Sequence, residues 1–197
     1  MQRGRSPNKT QKRVEVKPMI RILAAVVVML AMGAPAWAAQ RENLAIFRDI
    51  SQQVLQYSRF TIFDSVDATI DDGVVTLSGH VTMPFKSKDI ERRVAGIEGI
   101  SAVRNEVTVL PVSLFDDELR FRIARAIYGN ANFWGYGSMV NPPVHIIVEN
   151  SHVTLEGVVN SNIDRLLARS IASSFGAFSV TNNLKTDAEV KADLERL

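Results

Sequence analysis

The chain has 197 residues, no cysteine, 23 basic and 21 acidic side chains, and a sequence pI near 9.0. Without cysteine, disulfides, a cysteine nucleophile and the lipid-bearing cysteine of a bacterial lipoprotein are all excluded. The basic excess is confined to the start: seven of the 23 basic residues but only one of the 21 acidic ones precede residue 39, leaving 16 against 20 and a net charge of −4, which argues against a nucleic-acid partner.

The apolar run Ile20 to Met32, interrupted only by Arg21, follows Lys17 and precedes Gly33-Ala34-Pro35-Ala36-Trp37-Ala38. A basic region, a short apolar stretch and a small-x-small ending predict a secretory signal peptide over 1–38, cleaved after Ala38, with Met1 or Met19 as the start. The competing reading, a membrane anchor, requires roughly 18 or more apolar residues and meets Pro35. The expected product is a soluble periplasmic protein of about 160 residues, enough for one medium domain or two small ones.

Val75-Thr76-Leu77-Ser78-Gly79 returns as Val153-Thr154-Leu155-Glu156-Gly157, and Val66, Ile70 and Val81 fall on Val144, Val148 and Val159 at one offset of 78 (144 minus 66). Such self-similarity decides for two repeats. From Glu42 to Tyr57, Ala45 or Ile46, Ile50, Val54 and Tyr57 recur at helical spacing. Two alternating runs then flank Asp72-Gly73, a hairpin signal, placing Val66, Ala68, Ile70, Val75 and Leu77 on one face. Gly79 is expected to let the backbone turn or a helix pack close. Thr82 reads as an N-cap with Pro84 in the first turn, Ile90, Val94 and Ile97 as the buried stripe, Lys86, Lys88 and Arg92 elsewhere, and Gly99 as the stop. A third strand carries Val103, Asn105, Val107 and Val109; a β-α-β crossover makes it parallel to the second.

The second copy runs Leu114 to Tyr128 with Leu119, Ile123 and Ile127 inward; its hairpin turns at Asn150-Ser151. The hairpin's wet face is expected to hold His145, Ile147, Glu149, His152, Thr154 and Glu156. Ser161 and Asp164 have capping-box spacing ahead of a helix with Ile163, Leu167, Ile171 and Phe175. Val180, Asn182 and Leu184 close the sheet, and Thr186 with Glu189 caps a final helix bearing Val190, Leu194 and Leu197. The fold class is α+β: two tandem α-β-β-α-β units over 42–110 and 112–186, each a three-stranded mixed sheet with two helices on one face, then a short C-terminal helix over 187–197.

Helix, hairpin ending in V-T-L-x-G, helix, Gly, then V-x-N-x-V/L resembles the BON domain, a family of bacterial osmotic-stress and envelope proteins, in two copies. The resemblance implies export to the periplasm and non-enzymatic binding of phospholipid or a membrane surface; the alternative is a protein-protein adaptor of the envelope acting through sheet edges. No cofactor is implied. The second copy departs from the pattern by an insertion over 129–141, roughly ten residues longer than its counterpart.

Three candidate sites follow. His145 facing Glu156 and His152 facing Glu149 suggest a metal set, but residues 145 and 149 lie roughly 13 Å apart along a strand, too far for bonds of about 2 Å. No Gly-x-Ser-x-Gly elbow occurs, and the pairs Asp71-Asp72 and Asp116-Asp117 read as a turn and a helix N-terminus. The insertion, rich in glycine and aromatics, is either core or a lipid-facing loop in which Phe133, Trp134 and Tyr136 meet headgroups, with Arg122 and Arg125 (and Arg120 nearby) offered to anionic phospholipid phosphate.

Overall fold

The computed structural model describes residues 36–196, with side chains over 43–193. The expected signal peptide lies almost wholly outside the described residues, as do the side chains of Leu194 and Leu197. The chain divides into units Met1–Ala39 and Gln40–Leu197, and both repeats lie in the second. Among the described residues no helix is long and apolar enough to cross a membrane.

Repeat one comprises α1 (Ala36–Leu55), β1 (Ser65–Asp71), β2 (Val74–Val81), α2 (Pro84–Ala95), β3 (Ala102–Asn105) and β4 (Thr108–Val109). Repeat two comprises α3 (Leu114–Tyr128), a 3-10 turn (Ala131–Phe133), the one-turn helix α4 (Trp134–Gly137), β5 (Val144–Glu149), β6 (His152–Val159), α5 (Asn162–Ser173), β7 (Ser179–Asn182) and β8 (Lys185–Thr186); α6 (Asp187–Arg196) follows. In each repeat an antiparallel hairpin takes an interrupted third strand in parallel, β3 and β4 on β2, β7 and β8 on β6. This is the expected α+β architecture. The hairpin register also agrees: Ala68 opposes Leu77, and Ile146 opposes Leu155.

Alternation decides which face is buried. Val75, Leu77, Val153 and Leu155 are fully inaccessible beneath the helices, each such side chain contributing about 1.5–3 kcal/mol of transfer free energy. Ile46, Ile50 and Val54 of α1, with Tyr57 beyond it, cover the first sheet with Ile90 and Val94 of α2; Leu119, Ile123 and Ile127 of α3 cover the second. Ala45 points outward.

Several local expectations need correction. Met83, not Thr82, is the N-cap of α2, because the Thr82 hydroxyl is committed elsewhere. That helix ends at Ala95 with Gly96 as its C-cap, ahead of Gly99, whose φ of +88° belongs to the following turn. Val109 is exposed and Leu110 buried, since the third strand breaks at Glu106-Val107 and the alternation does not carry through the break. In α5, Leu167 and Ile171, with Phe175 just beyond its end, pack against the core as expected, but Ile163 is exposed and the fully buried line is Ala168 and Ala172, small residues at the contact of α5 with α3 and the sheet.

Both hairpin turns have two successive residues with positive φ, Asp72 (46°) with Gly73 (75°) and Asn150 (50°) with Ser151 (63°), the type I′ geometry that suits the twist of paired strands. The second turn lacks glycine and has other support. Asp116, buried at the start of α3, accepts hydrogen bonds from Asn150 N (2.9 Å) and Ser151 N (2.8 Å). It is therefore a turn ligand as well as a helix-end carboxylate.

Asn105 and Asn182 tie the broken third strand to the crossover helix. Asn105 Nδ2 donates to Ser87 Oγ (3.0 Å) and Glu91 Oε2 (2.9 Å), and its Oδ1 accepts from Val107 N (3.1 Å). Asn182 repeats the pattern with Arg165 O (2.9 Å) and Leu184 N (3.3 Å). Each amide thus replaces ladder bonds lost at the break. Thr186 and Glu189 form the expected reciprocal capping box (2.8 and 3.3 Å).

Candidate functional site

The insertion folds into two short turns rather than a floppy loop. Gly129 caps α3, the Asn130 side chain accepts from Asn132 N (3.0 Å), and Phe133 becomes one of the largest fully buried side chains of the second core. Tyr136 is buried beside it, ring centroids 5.7 Å apart. The Tyr136 hydroxyl donates to Asp164 Oδ2 (3.0 Å) and accepts from Asn160 N (2.7 Å), fastening the insertion to the N-terminus of α5. Burial foremost raises the Tyr136 hydroxyl pKa, with Asp164 adding to the rise. Phe133 and Tyr136 therefore cannot lie against lipid headgroups, as the sequence reading had allowed: they are packing and capping residues.

Trp134, between these two anchors, is 77% exposed. Its neighbour across the Tyr136 bonds, the first half of α5, carries the exposed Ile163 and Leu166. On α3, Arg122 stacks its guanidinium 5.4 Å from the Phe175 ring centroid, and Arg125 is exposed. Both line a shallow depression of about 440 Å³ with Glu118, Phe121, Ala126 and Phe175. Neither forms an ion pair among the described residues. Arg120 is different. Buried, it pairs with Asp117 (2.6 Å) and donates to Val148 O (2.8 Å), leaving it no access to lipid phosphate.

The histidines do not converge. His152 Nδ1 lies 2.6 Å from Ser179 Oγ and its ring meets the edge of Phe178. His145, expected on a wet face, is largely covered by repeat one: Nδ1 donates to Asp64 O (2.6 Å) and the ring lies 5.5 Å from Phe60. Ile147, two residues along on the same side, is buried as well. No group of three potential ligands suits a metal among the described residues.

Burial depresses the His145 pKa from its ordinary value, opposed by the bond to Asp64 O. The unfolded chain therefore takes up the proton first, and stability is full above about pH 6.5 and falls as pH drops through the window between that value and the lower folded one. Urea midpoints should decline as pH drops below about 6.5, the stability falling by up to about 1.4 kcal/mol per pH unit. In His145→Phe the decline in that window should vanish; an unchanged decline would place its origin in another group.

A second polar cluster had no sequence signature. Asp64, fully buried, accepts from Lys86 Nζ (2.6 Å), from Thr82 N and Oγ1 (2.7 and 2.8 Å) and from Thr61 N and Oγ1 (2.8 and 2.7 Å). Burial alone would raise the Asp64 carboxyl pKa, but Lys86 and the threonine donors outweigh it and hold the group below its ordinary value. At the 78-residue offset, Asp64, Thr82 and Lys86 correspond to Pro142, Asn160 and Asp164. In repeat two the Tyr136 hydroxyl binds those last two, so the insertion supplies the acceptor that Asp64 supplies in repeat one. The same segment joins the repeats, since Ile62 O accepts from Ile146 N (2.7 Å) and Phe63 meets Phe121 edge-on at 4.9 Å.

Comparison with known proteins agrees with this geometry. The BON domain family matches twice, over residues 45–111 and 116–188. No curated protein matches the chain significantly. Among solved structures the chain is similar to CdsD, a structural protein of the type III secretion system of Chlamydia trachomatis, at 16% identity over 77% of this chain and 97% of that one, with a TM-score of 0.28. A structure of the CdsD C-terminal domain gives 14% identity, 70% and 94% coverage and a TM-score of 0.25. Scores this low leave the assignment to the family match and the repeated α-β-β-α-β topology, which together show that the chain belongs to the BON domain family and carries two copies in tandem.

Proposed function

We propose that this protein is an exported, non-enzymatic envelope-maintenance protein that binds the surface of an anionic phospholipid membrane through its second repeat, in the periplasm. The family, associated with phospholipid and membrane-related envelope proteins, supports the class. The observation that carries the surface is Trp134: an indole 77% exposed, held outward by Phe133 and Tyr136 buried on either side of it. Holding the turn rigid reduces the ordering entropy that a flexible loop would lose on binding, and an indole is suited to the headgroup region.

Arg122 and Arg125 supply the charge. Basic side chains near an anionic surface contribute about 1 kcal/mol each, and Glu118 on the same face offsets part of that. With 16 basic against 20 acidic residues beyond position 38, the whole molecule is not drawn to acidic lipid, so apolar insertion by Trp134 has to accompany the arginines. In flotation with vesicles of phosphatidylglycerol and phosphatidylethanolamine at low salt, the wild type should float. Trp134→Ala and Arg122→Glu/Arg125→Glu should each lower the bound fraction several-fold, without the core damage that Phe133→Ala would cause. A wild type that stays at the bottom rejects lipid binding, and flotation that survives both variants moves the site.

A further inference from the structure

The two hairpins treat their outer edges in opposite ways. In a two-residue hairpin every second residue of the edge strand turns its N–H and C=O away from the partner strand; here those are Val144, Ile146 and Val148 in β5 and their counterparts Val66, Ala68 and Ile70 in β1. Edge β5 is occupied along its length. Tyr128 Oη bonds both Val144 O (2.6 Å) and Val144 N (3.1 Å), Ile62 O takes Ile146 N (2.7 Å), and Arg120 Nη2 reaches Val148 O (2.8 Å). No such bonds reach Val66, Ala68 or Ile70 among the described residues.

The cause is legible in the helices. The buried stripe Leu119, Ile123, Ile127 of α3 corresponds to Ile46, Ile50, Val54 of α1 at an offset of 73 (119 minus 46), so Arg120 and Tyr128 correspond to Phe47 and Leu55. Neither Phe47 nor Leu55 can bond a backbone group. Both are partly exposed and, with Val66 and Ala68, line one side of a groove of about 640 Å³ beside β1, whose other side is formed by repeat two through His145, Glu156 and Lys185. An edge whose outward backbone groups have no partner, with Phe47 and Leu55 beside it, is a template for an added segment.

The chain carries a segment matched to it. Ile62, which seats on β5 at Ile146, corresponds through the 78-residue offset to Val140, and Ile146 corresponds to Ala68. Ile62 is used inside the molecule, whereas Val140 is 96% exposed with no hydrogen bond among the described residues. We propose that the protein associates head to tail, the Val140 segment of one copy seating its carbonyl on Ala68 N of the next, between Phe47 and Leu55, as Ile62 seats on Ile146 within each copy. Such a contact joins two different surfaces, so it builds rings or filaments rather than closed two-fold dimers. It uses a sheet edge and is independent of membrane binding.

Sedimentation of the purified chain between about 10 µM and about 1 mM, the range in which a small contact associates, tests this. The weight-average mass of the wild type should more than double across the series. Ala68→Pro removes the outward N–H while sparing the β1–β2 ladder, a position where an edge strand tolerates proline; Val140→Asp alters only an exposed side chain. Each variant alone should remain monomeric. Mixed in equal amounts they should form dimers and nothing larger, because each retains one intact surface. A wild type that stays monomeric, association that persists in either variant alone, or a mixture without dimers would overturn the proposal, including the case in which the β1 edge instead accepts a strand from another protein.

Discussion

Gly157→Ala is expected to lower the stability of the second repeat by about 3–5 kcal/mol, combining a strained backbone with overpacking. Gly157 has φ +111°, a conformation that side-chain-bearing residues rarely adopt, and a Cβ there would fall inside the Pro143 carbonyl. Gly79 is in the same state, φ +117° against the Ser65 carbonyl. The glycine closing each V-T-L-x-G motif thus admits the backbone of the preceding strand, not a helix. Urea titration of Gly157→Ala beside Gly135→Ala gives the contrast: Cβ at 135 meets nothing within 4 Å, so that variant should stay within about 0.5 kcal/mol of the wild type. Equal midpoints for the two would show that the motif glycine has no such constraint.

The hairpins and the final capping box were legible because each depends on neighbours close in sequence. A period of two, a turn dipeptide or an S/T-x-x-E spacing is fixed by local backbone geometry. Phe133 and Tyr136 could be read either as core or as lipid-facing, because an aromatic-rich insertion has no periodicity to tell inside from outside; the structure decides for core, with the Tyr136 bonds to Asn160 and Asp164, some two dozen residues away, holding the insertion in place. Arg120 likewise sits in a row of arginines with nothing local to separate it from Arg122 and Arg125. The available signal was the comparison of copies: Phe47 against Arg120, Leu55 against Tyr128 and Asp64 against Pro142 are the positions where the repeats differ in how they satisfy backbone groups.

Lys86 is the largest departure from pattern reading, a lysine on a helix rich in charge that turns out to be buried. Lys86→Ala should cost about 3–5 kcal/mol, the range for removing one partner of a buried ion pair, because Asp64 would keep its charge without the ammonium. The pH dependence gives a second reading. The Asp64 pKa is held below its ordinary value of 3.8, so the pair's contribution is present above that value and is lost as pH falls through the lower folded one. In the variant the folded carboxyl rises, and the acid-labile part of the stability should shrink. The damage should also reach repeat two, since the segment Thr61 to Asp64 presents Ile62 O to Ile146 N and Asp64 O to His145. Hydrogen exchange at the Ile146 amide should therefore quicken in Lys86→Ala, while exchange in the α5–β7 part of repeat two changes little. A destabilised repeat one with an unaltered Ile146 amide would mean that the buried pair serves its own domain and leaves the joint between repeats untouched.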